Sequence, residues 1–367
     1  MKKQIILCTA VVLALLLSGC RTAELDHESS KNSTTSSFES STESEAAQPP
    51  TDVVGSSKEF SMAYGEIWTP SEEKLKDVFG FSLDAEVNEV SKTGYTVQDD
   101  DKILSFDQGM VSFIYPNSKI VNSALFIFRN NIAESNYNAD KFSQTKDLDF
   151  STKSEAIQAL TDLLQQIGKD ESYQITAYAL DAQTMKEQEQ VLKSAIGEIS
   201  SDMPMVDGWD SSSESYYLQA VPTVDGYPLL PITTGNYENG STITNEMITA
   251  IYTSSGFELF MMANGVNITS VIKSENELIG ENQAKETFNQ LNLALLSTET
   301  YQVESLQLGY YSEYANADHT EIVFKPAWQA KTIASGEDES KDSGQYSYYL
   351  YQYIDAESGQ EIVEALG

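Results

Sequence analysis

Residues 151–168 read STKSEAIQALTDLLQQIG, and residues 173–180 read YQITAYAL. Ala156, Leu160, Leu163, Leu164 and Ile167 recur at spacings of three and four, which predicts an amphipathic helix. Ser151 or Thr152 supplies an N-cap with Glu155 as reciprocal partner, and Gly168 ends the helix. The following run is a strand, and Ala182 to Ile199 reads as a second helix. The same order returns later. Glu281 to Leu296 predicts a helix that turns Ala284, Phe288, Leu291, Ala294 and Leu295 towards a core, with strands on both sides of it. Helices among strands that pair locally predict an α+β fold with antiparallel sheets.

Working outward, strands are expected on either side of Asp107-Gln108-Gly109, over Leu125–Phe128, and in a hairpin from Tyr216 to Leu230 turning at Asp225-Gly226. Further strands are expected at 249–252, 257–262, 301–311 and 322–330, and a strand pair at 348–363 turning at Ala356-Glu357-Ser358-Gly359. Loop residues Asp202, Pro204, Asp207, Gly208 and Ser211-Ser212-Ser213 suggest two α+β domains, 58–205 and 206–367, each an antiparallel sheet with one or two packed helices.

Ahead of them, Lys2-Lys3 and the apolar run Ile5–Leu17 lead to Leu17-Ser18-Gly19-Cys20. A basic head, a short apolar core and small residues describe a secretory leader, too short for a comfortable spanning helix. Leu-Ser-Gly-Cys resembles the lipobox of bacterial lipoproteins. That resemblance implies cleavage after residue 19 and a diacylglyceryl group on the Cys20 thiol. Two acyl chains hold a protein firmly to a bilayer where one does not. Residues 20–57 then read as a lipidated Cys and a Ser/Thr/Glu tether with no apolar periodicity. As a coil its span is about 30–35 Å.

The chain has 367 residues with 56 Asp+Glu against 22 Lys+Arg, for a net charge of −34. No basic surface is available to neutralise phosphates, so no nucleic-acid partner is expected. From residue 58 onward there is no Cys and one His, His319. That composition argues against disulfides, cysteine nucleophiles and multi-histidine metal centres in the body of the protein.

Chemistry-bearing motifs are few. Ser71-Glu-Glu-Lys74 and Lys92-Thr93-Gly94 mimic penicillin-binding enzymes but lie too close together, and the first reads as a helix start with Thr69 as cap and Pro70 at the first position. His319 reads as a loop histidine. Three acidic clusters occur: Asp99-Asp100-Asp101, then Asp202, Asp207, Asp210 and Glu214, then Glu337-Asp338-Glu339 with Asp342. None has the calcium-loop register, and they read as solvated loops. Neither catalytic residues, metal ligands nor a cofactor are assigned. Twenty tyrosines are present. In the last strand, Tyr346 and Tyr348 alternate with Tyr349, Tyr351 and Tyr353, so one set faces a helix and the other offers an aromatic platform.

Several segments also carry a family resemblance: Val224-Asp225-Gly226-Tyr227-Pro228-Leu229-Leu230, Leu306 to Tyr311, Phe324-Lys325-Pro326-Ala327-Trp328-Gln329-Ala330, and Tyr353 to Gln360. Together they resemble the YycH/YycI-type and PepSY-like extracytoplasmic regulatory domains of Gram-positive bacteria. The resemblance spans about 216–367 and implies a sheet-and-helix fold and control of a cell-surface signalling system. Those regulators carry a transmembrane helix where this chain has a lipobox. The expectation is a lipid-anchored, extracytoplasmic binding or regulatory module on the cell membrane. Its expected partners are the bilayer, through Cys20, and an envelope protein or sensor. The alternatives are an envelope glycan-binding protein, a carboxylate-dependent hydrolase and a calcium-dependent structural lipoprotein.

Overall fold

The chain begins its described course with β1 (Ser61–Ile67), α1 (Glu72–Val78), β2 (Val87–Glu89), β3 (Tyr95–Gln98), β4 (Ile103–Asp107), β5 (Met110–Ile114) and α2 (Lys119–Phe128). It continues with α3 (Lys153–Ile167), β6 (Tyr173–Leu180), α4 (Ala182–Ile196), β7 (Ser215–Val224), β8 (Tyr227–Pro228), β9 (Thr233–Asn236) and β10 (Ser241–Thr244). It ends with β11 (Met247–Thr253), β12 (Gly256–Ala263), β13 (Val266–Lys273), α5 (Glu281–Ala294), β14 (Thr300–Tyr314), β15 (Ile322–Glu337) and β16 (Gln345–Asp355). This computed structural model describes residues 60–363 apart from 92, 100, 129–137, 197–204, 237–240, 275, 296–297, 317 and 338–344. The expected leader, Cys20 and the expected tether lie outside the described residues.

The fold is α+β, and every pairing between neighbouring strands of its sheets is antiparallel. The larger sheet runs β2-β3-β4-β5-β12-β11-β7-β6, with β8 paired to the end of β7. The smaller runs β13-β1-β15-β14, with β16 also on β15. The sheets do not follow the division expected at 205/206. β5 from the first stretch pairs with β12 from the second, and β1 lies between β13 and β15. Residues 59–366 form one compact unit. Hydrophobic periodicity is local and gives no sign of which distant strand a segment pairs with, so loop residues at 202–213 suggest a boundary that the strand pairing does not respect.

Helix α3 forms as its sequence requires. Thr152 caps it, Glu155 returns the bond to the Thr152 N–H, and Gly168 takes the left-handed conformation at φ 90°. Its apolar stripe packs with Leu75 of α1 onto Leu218, Ile248 and Phe260 of the larger sheet. On the other face of that sheet, Phe128 of α2 stacks on Tyr217 at 4.1 Å between ring centres. Side-chain alternation along β7 sends Tyr217 one way and Tyr216 and Leu218 the other.

Two expectations need correction. Leu125–Phe128 is helical, belonging to α2, where Val121, Ala124 and Phe128 are buried at helical spacing. A four-residue apolar run does not distinguish the two structures by itself. Helix α1 is capped by Ser71, which accepts from the Lys74 N–H, and not by Thr69. Pro70 lies outside the helix, Ser71 is extended, and the two acids follow Ser71 directly.

Pro326 occupies neither an edge nor a bulge. β15 pairs β1 through residues 322–324 and β16 from residue 327 onward. Pro326 falls at this change of partner, where a missing N–H costs no ladder bond on that side.

The sheets meet at a backbone triangle. Trp68 N donates to Gly265 O at 2.9 Å, Gly265 N to Gly109 O at 2.7 Å, and Gly109 N to Trp68 O at 2.8 Å. A Cβ on Gly265 would lie 2.9 Å from Met262 Sδ and 3.2 Å from Trp68 Cε3, so any larger residue would displace those side chains as the chain crosses from β12 to β13.

Candidate functional site

The three longest strands of the smaller sheet, β14, β15 and β16, form a ribbon with two unlike faces. On one, α5 sets Ala284 and Phe288 against Val303, Ala330 and Ile354. Beyond the reach of that core, three phenols converge on one carboxylate. Tyr301 donates to Glu299 at 2.6 Å, Tyr346 at 2.7 Å and Tyr348 at 3.0 Å. Burial first, then the hydrogen bond to Glu299 and its charge, push the Tyr348 phenol above the ordinary tyrosine range.

The opposite face carries Tyr349, Tyr351 and Tyr353, the second phase of the same alternation. Registration along β15 sets Gln329 beside Tyr353, Lys331 beside Tyr351 and Ile333 beside Tyr349. At the inner end, Leu230, Ile232 and Ala327 cover Tyr353. Its hydroxyl donates to Pro231 O at 3.1 Å and accepts from Gln329 Nε2 at 2.9 Å. Where the 229–232 segment leaves the sheet, the cover stops and Tyr351 is 42% exposed. The step creates a notch of about 310 Å³ lined by Pro231, Ser305, Gln307, Gln329, Lys331 and Tyr351.

A β-bulge shapes its far wall. The register of β14 on β15 slips between Val303 and Ser305, so Glu304 is the additional residue. Its carboxylate reaches Lys331 Nζ at 2.8 Å. The same ammonium lies 3.7 Å from the centre of the Tyr349 ring. Lys331 is therefore held by a carboxylate and a π-face together, and it steadies the platform. The notch can receive a flat ligand on a phenol and hydrogen-bond it through two amides and a hydroxyl.

The other residues singled out from the sequence are dispersed. Cys20 lies outside the described residues, as do Lys92, Asp100, Asp202, Asp338, Glu339 and Asp342. His319, with a left-handed φ of 56°, lies against Tyr314 at 4.5 Å between ring centres. Asp207 pairs with Lys119. Asp210 caps the turn at 211–213 through the Ser212 N–H, and Glu214 accepts from the Ala182 N–H at 3.1 Å. Among the described residues no three His, Cys, Asp or Glu are placed to hold a metal ion. No helix among them is long and apolar enough to cross a membrane.

The segments behind the family resemblance do converge. Leu230 N donates to Tyr310 O at 2.8 Å, Ala356 N to Pro326 O at 3.0 Å, and Tyr311 Oη to Asp355 Oδ2 at 3.1 Å. They build the inner corner of the smaller sheet, and Pro231 and Gln329 of the notch stand on it. The alternation of tyrosines was visible in the sequence, but the notch was not. The available signal was the polar phase of β15, Gln329 and Lys331, alternating with Ala330 and Thr332.

Comparison with known proteins bears on the fold. No family model matches the chain, and neither does any curated protein sequence. Among solved structures it resembles an uncharacterized protein from Eubacterium rectale ATCC 33656, with a TM-score of 0.61 at 13% identity. The match covers 83% of this chain and 85% of that one. The fold recurs. At that identity the likeness concerns the fold alone.

Proposed function

We propose that this chain is a lipid-anchored, extracytoplasmic protein that binds a component of the cell envelope rather than transforming one. The observation that carries this reading is the face of β14–β16, where an exposed phenol, two amides and a hydroxyl surround a notch. Among the described residues the lining holds no carboxylate, and the nearby Glu304 is paired with Lys331. Hydrolysis by paired carboxylates needs two of them about 5–9.5 Å apart across the scissile bond, so the face favours binding. The leader ending in Leu17-Ser18-Gly19-Cys20 supports anchorage outside the bilayer. The resemblance of the inner-corner segments to extracytoplasmic regulators supports a role in modulating an envelope signalling system.

Photo-crosslinking in intact cells tests it. Benzoylphenylalanine at position 351 should give a discrete adduct with envelope material. The same probe at Leu293, 86% exposed on α5, should not. Equal labelling from both positions, or from 293 alone, contradicts the proposal.

A further inference from the structure

We infer that the notch beside Tyr351 holds a neutral glycan: one pyranose stacks its C–H face on the phenol ring and sets its hydroxyl or N-acetyl groups on Gln307, Gln329 and Ser305. The inference rests on the reading of this face as a binding surface and names its ligand class.

Three observations select that class. First, the site lies on the face of a sheet and not at its edge. The backbone of β15 is paired on both sides, to β14 and to β16, through residues 327–335. A peptide joining by strand addition would need free backbone groups. Here recognition falls to side chains, and those present match a ligand with a flat apolar face ringed by hydroxyl groups.

Second, the one cation that lines the notch among the described residues is engaged. Lys331 is held by Glu304 at 2.8 Å. The whole chain carries a net charge of −34. An anionic polymer would have to displace Glu304 and approach a strongly negative body, whereas a neutral polymer meets neither penalty.

Third, the most deeply set polar group of the notch is positioned before any ligand arrives. Gln329 is 6% exposed, and its amide is fixed by Tyr353, which is fixed in turn by Pro231. Groups already ordered cost little further entropy on binding. The volume of about 310 Å³ is near the lower end of small-molecule sites. That suits a short stretch of sugar, with the rest of the glycan running along the open face past Tyr349.

The test uses the full chain in detergent micelles, titrated with tetrasaccharides of N-acetylglucosamine, glucose and mannose and, separately, with polyglycerol phosphate. Saturation-transfer NMR and calorimetry report binding. At least one neutral tetrasaccharide should bind, with transfer strongest at ring C–H protons, and polyglycerol phosphate should not. Tyr351→Phe should stay within about threefold of the parent, and Tyr351→Ala should weaken binding about tenfold or more. Gln307→Ala should also weaken it. Circular dichroism checks that each variant folds. Silence with all three sugars, binding unchanged in both Tyr351→Ala and Gln307→Ala, or competition by polyglycerol phosphate overturns the inference. If the sugars are silent while the probe at 351 still forms its adduct, the glycan assignment fails and the binding reading stands. If both are silent, both fail.

Discussion

Lys169 Nζ lies 3.0 Å from the Glu246 carboxylate, and neither side chain has any exposed surface. The pair sits at the junction of the sheets. Lys169 also donates to Val266 O and lies 3.2 Å from Glu171. Glu246 accepts from Val266 N at 2.8 Å and from the Tyr173 hydroxyl at 2.8 Å. Burial pushes the Glu246 carboxyl up, and Lys169, the Val266 N–H and the Tyr173 hydroxyl oppose that shift. Val266 begins β13 just past Gly265, so one ion cluster fixes the start of the strand that crosses between sheets.

Breaking this cluster from one side should be severe. Lys169→Met leaves a buried carboxylate without its cation and should cost about 3–5 kcal/mol by urea denaturation. Adding Glu246→Gln should return part of that loss, because the amide oxygen still accepts from Val266 N without burying a charge. Losses that simply add would count against a coupled pair.

Gly309 tests the inner corner that supports the notch. A Cβ there would lie 2.5 Å from Pro228 O and 2.7 Å from the Leu230 side chain. Gly309→Ala should cost about 1–3 kcal/mol through overpacking. Gly208→Ala, whose added Cβ meets nothing within 4 Å, should change stability by no more than about 0.5 kcal/mol. Equal effects in the two melts would show that the corner is not tightly packed.

Asp181 gives a pH signature. Burial raises its pKa, but the Thr184 N–H and hydroxyl and Lys146 outweigh burial, leaving the carboxyl below its ordinary value. A depressed folded pKa contributes stability above the unfolded value and loses it as pH falls through the folded one. The stability gap between wild type and Asp181→Asn should therefore be flat above about pH 5 and shrink below about pH 4. A gap that widens with acid would reverse the assignment.

Tyr348 offers a spectroscopic check on the phenol cluster. Its ring-carbon NMR shift should stay that of the protonated phenol beyond about pH 10, where an ordinary tyrosine is half-ionised. Glu299→Gln removes the nearby charge and should bring the titration down. An unchanged midpoint would mean that the carboxylate does not govern it.

The sequence revealed what short-range chemistry controls. The capping box at Thr152 and Glu155, the left-handed Gly168 and the Asp225-Gly226 hairpin are local, and the structure has each of them. The alternation of tyrosines in β16 likewise separates Tyr346 and Tyr348 from Tyr349, Tyr351 and Tyr353 without any knowledge of partners. What could not be read is long-range. Ser61 pairs with Lys273, more than 200 residues away, and nothing near either residue announces the other. The notch draws Pro231, Gln307 and Gln329 from three segments, and its wall depends on a one-residue register slip at Glu304. Such a slip arises from pairing and leaves no mark in composition.

The proposed binding at the cell surface requires first that the chain be held there. The most direct measurement is the intact mass of the N-terminal peptide of the protein extracted from membranes. The account predicts a chain beginning at Cys20 and carrying a diacylglyceryl group, and a Cys20→Ala variant that leaves the membrane fraction or keeps its leader. An unmodified Cys20 on a protein recovered from the cytosol would contradict it.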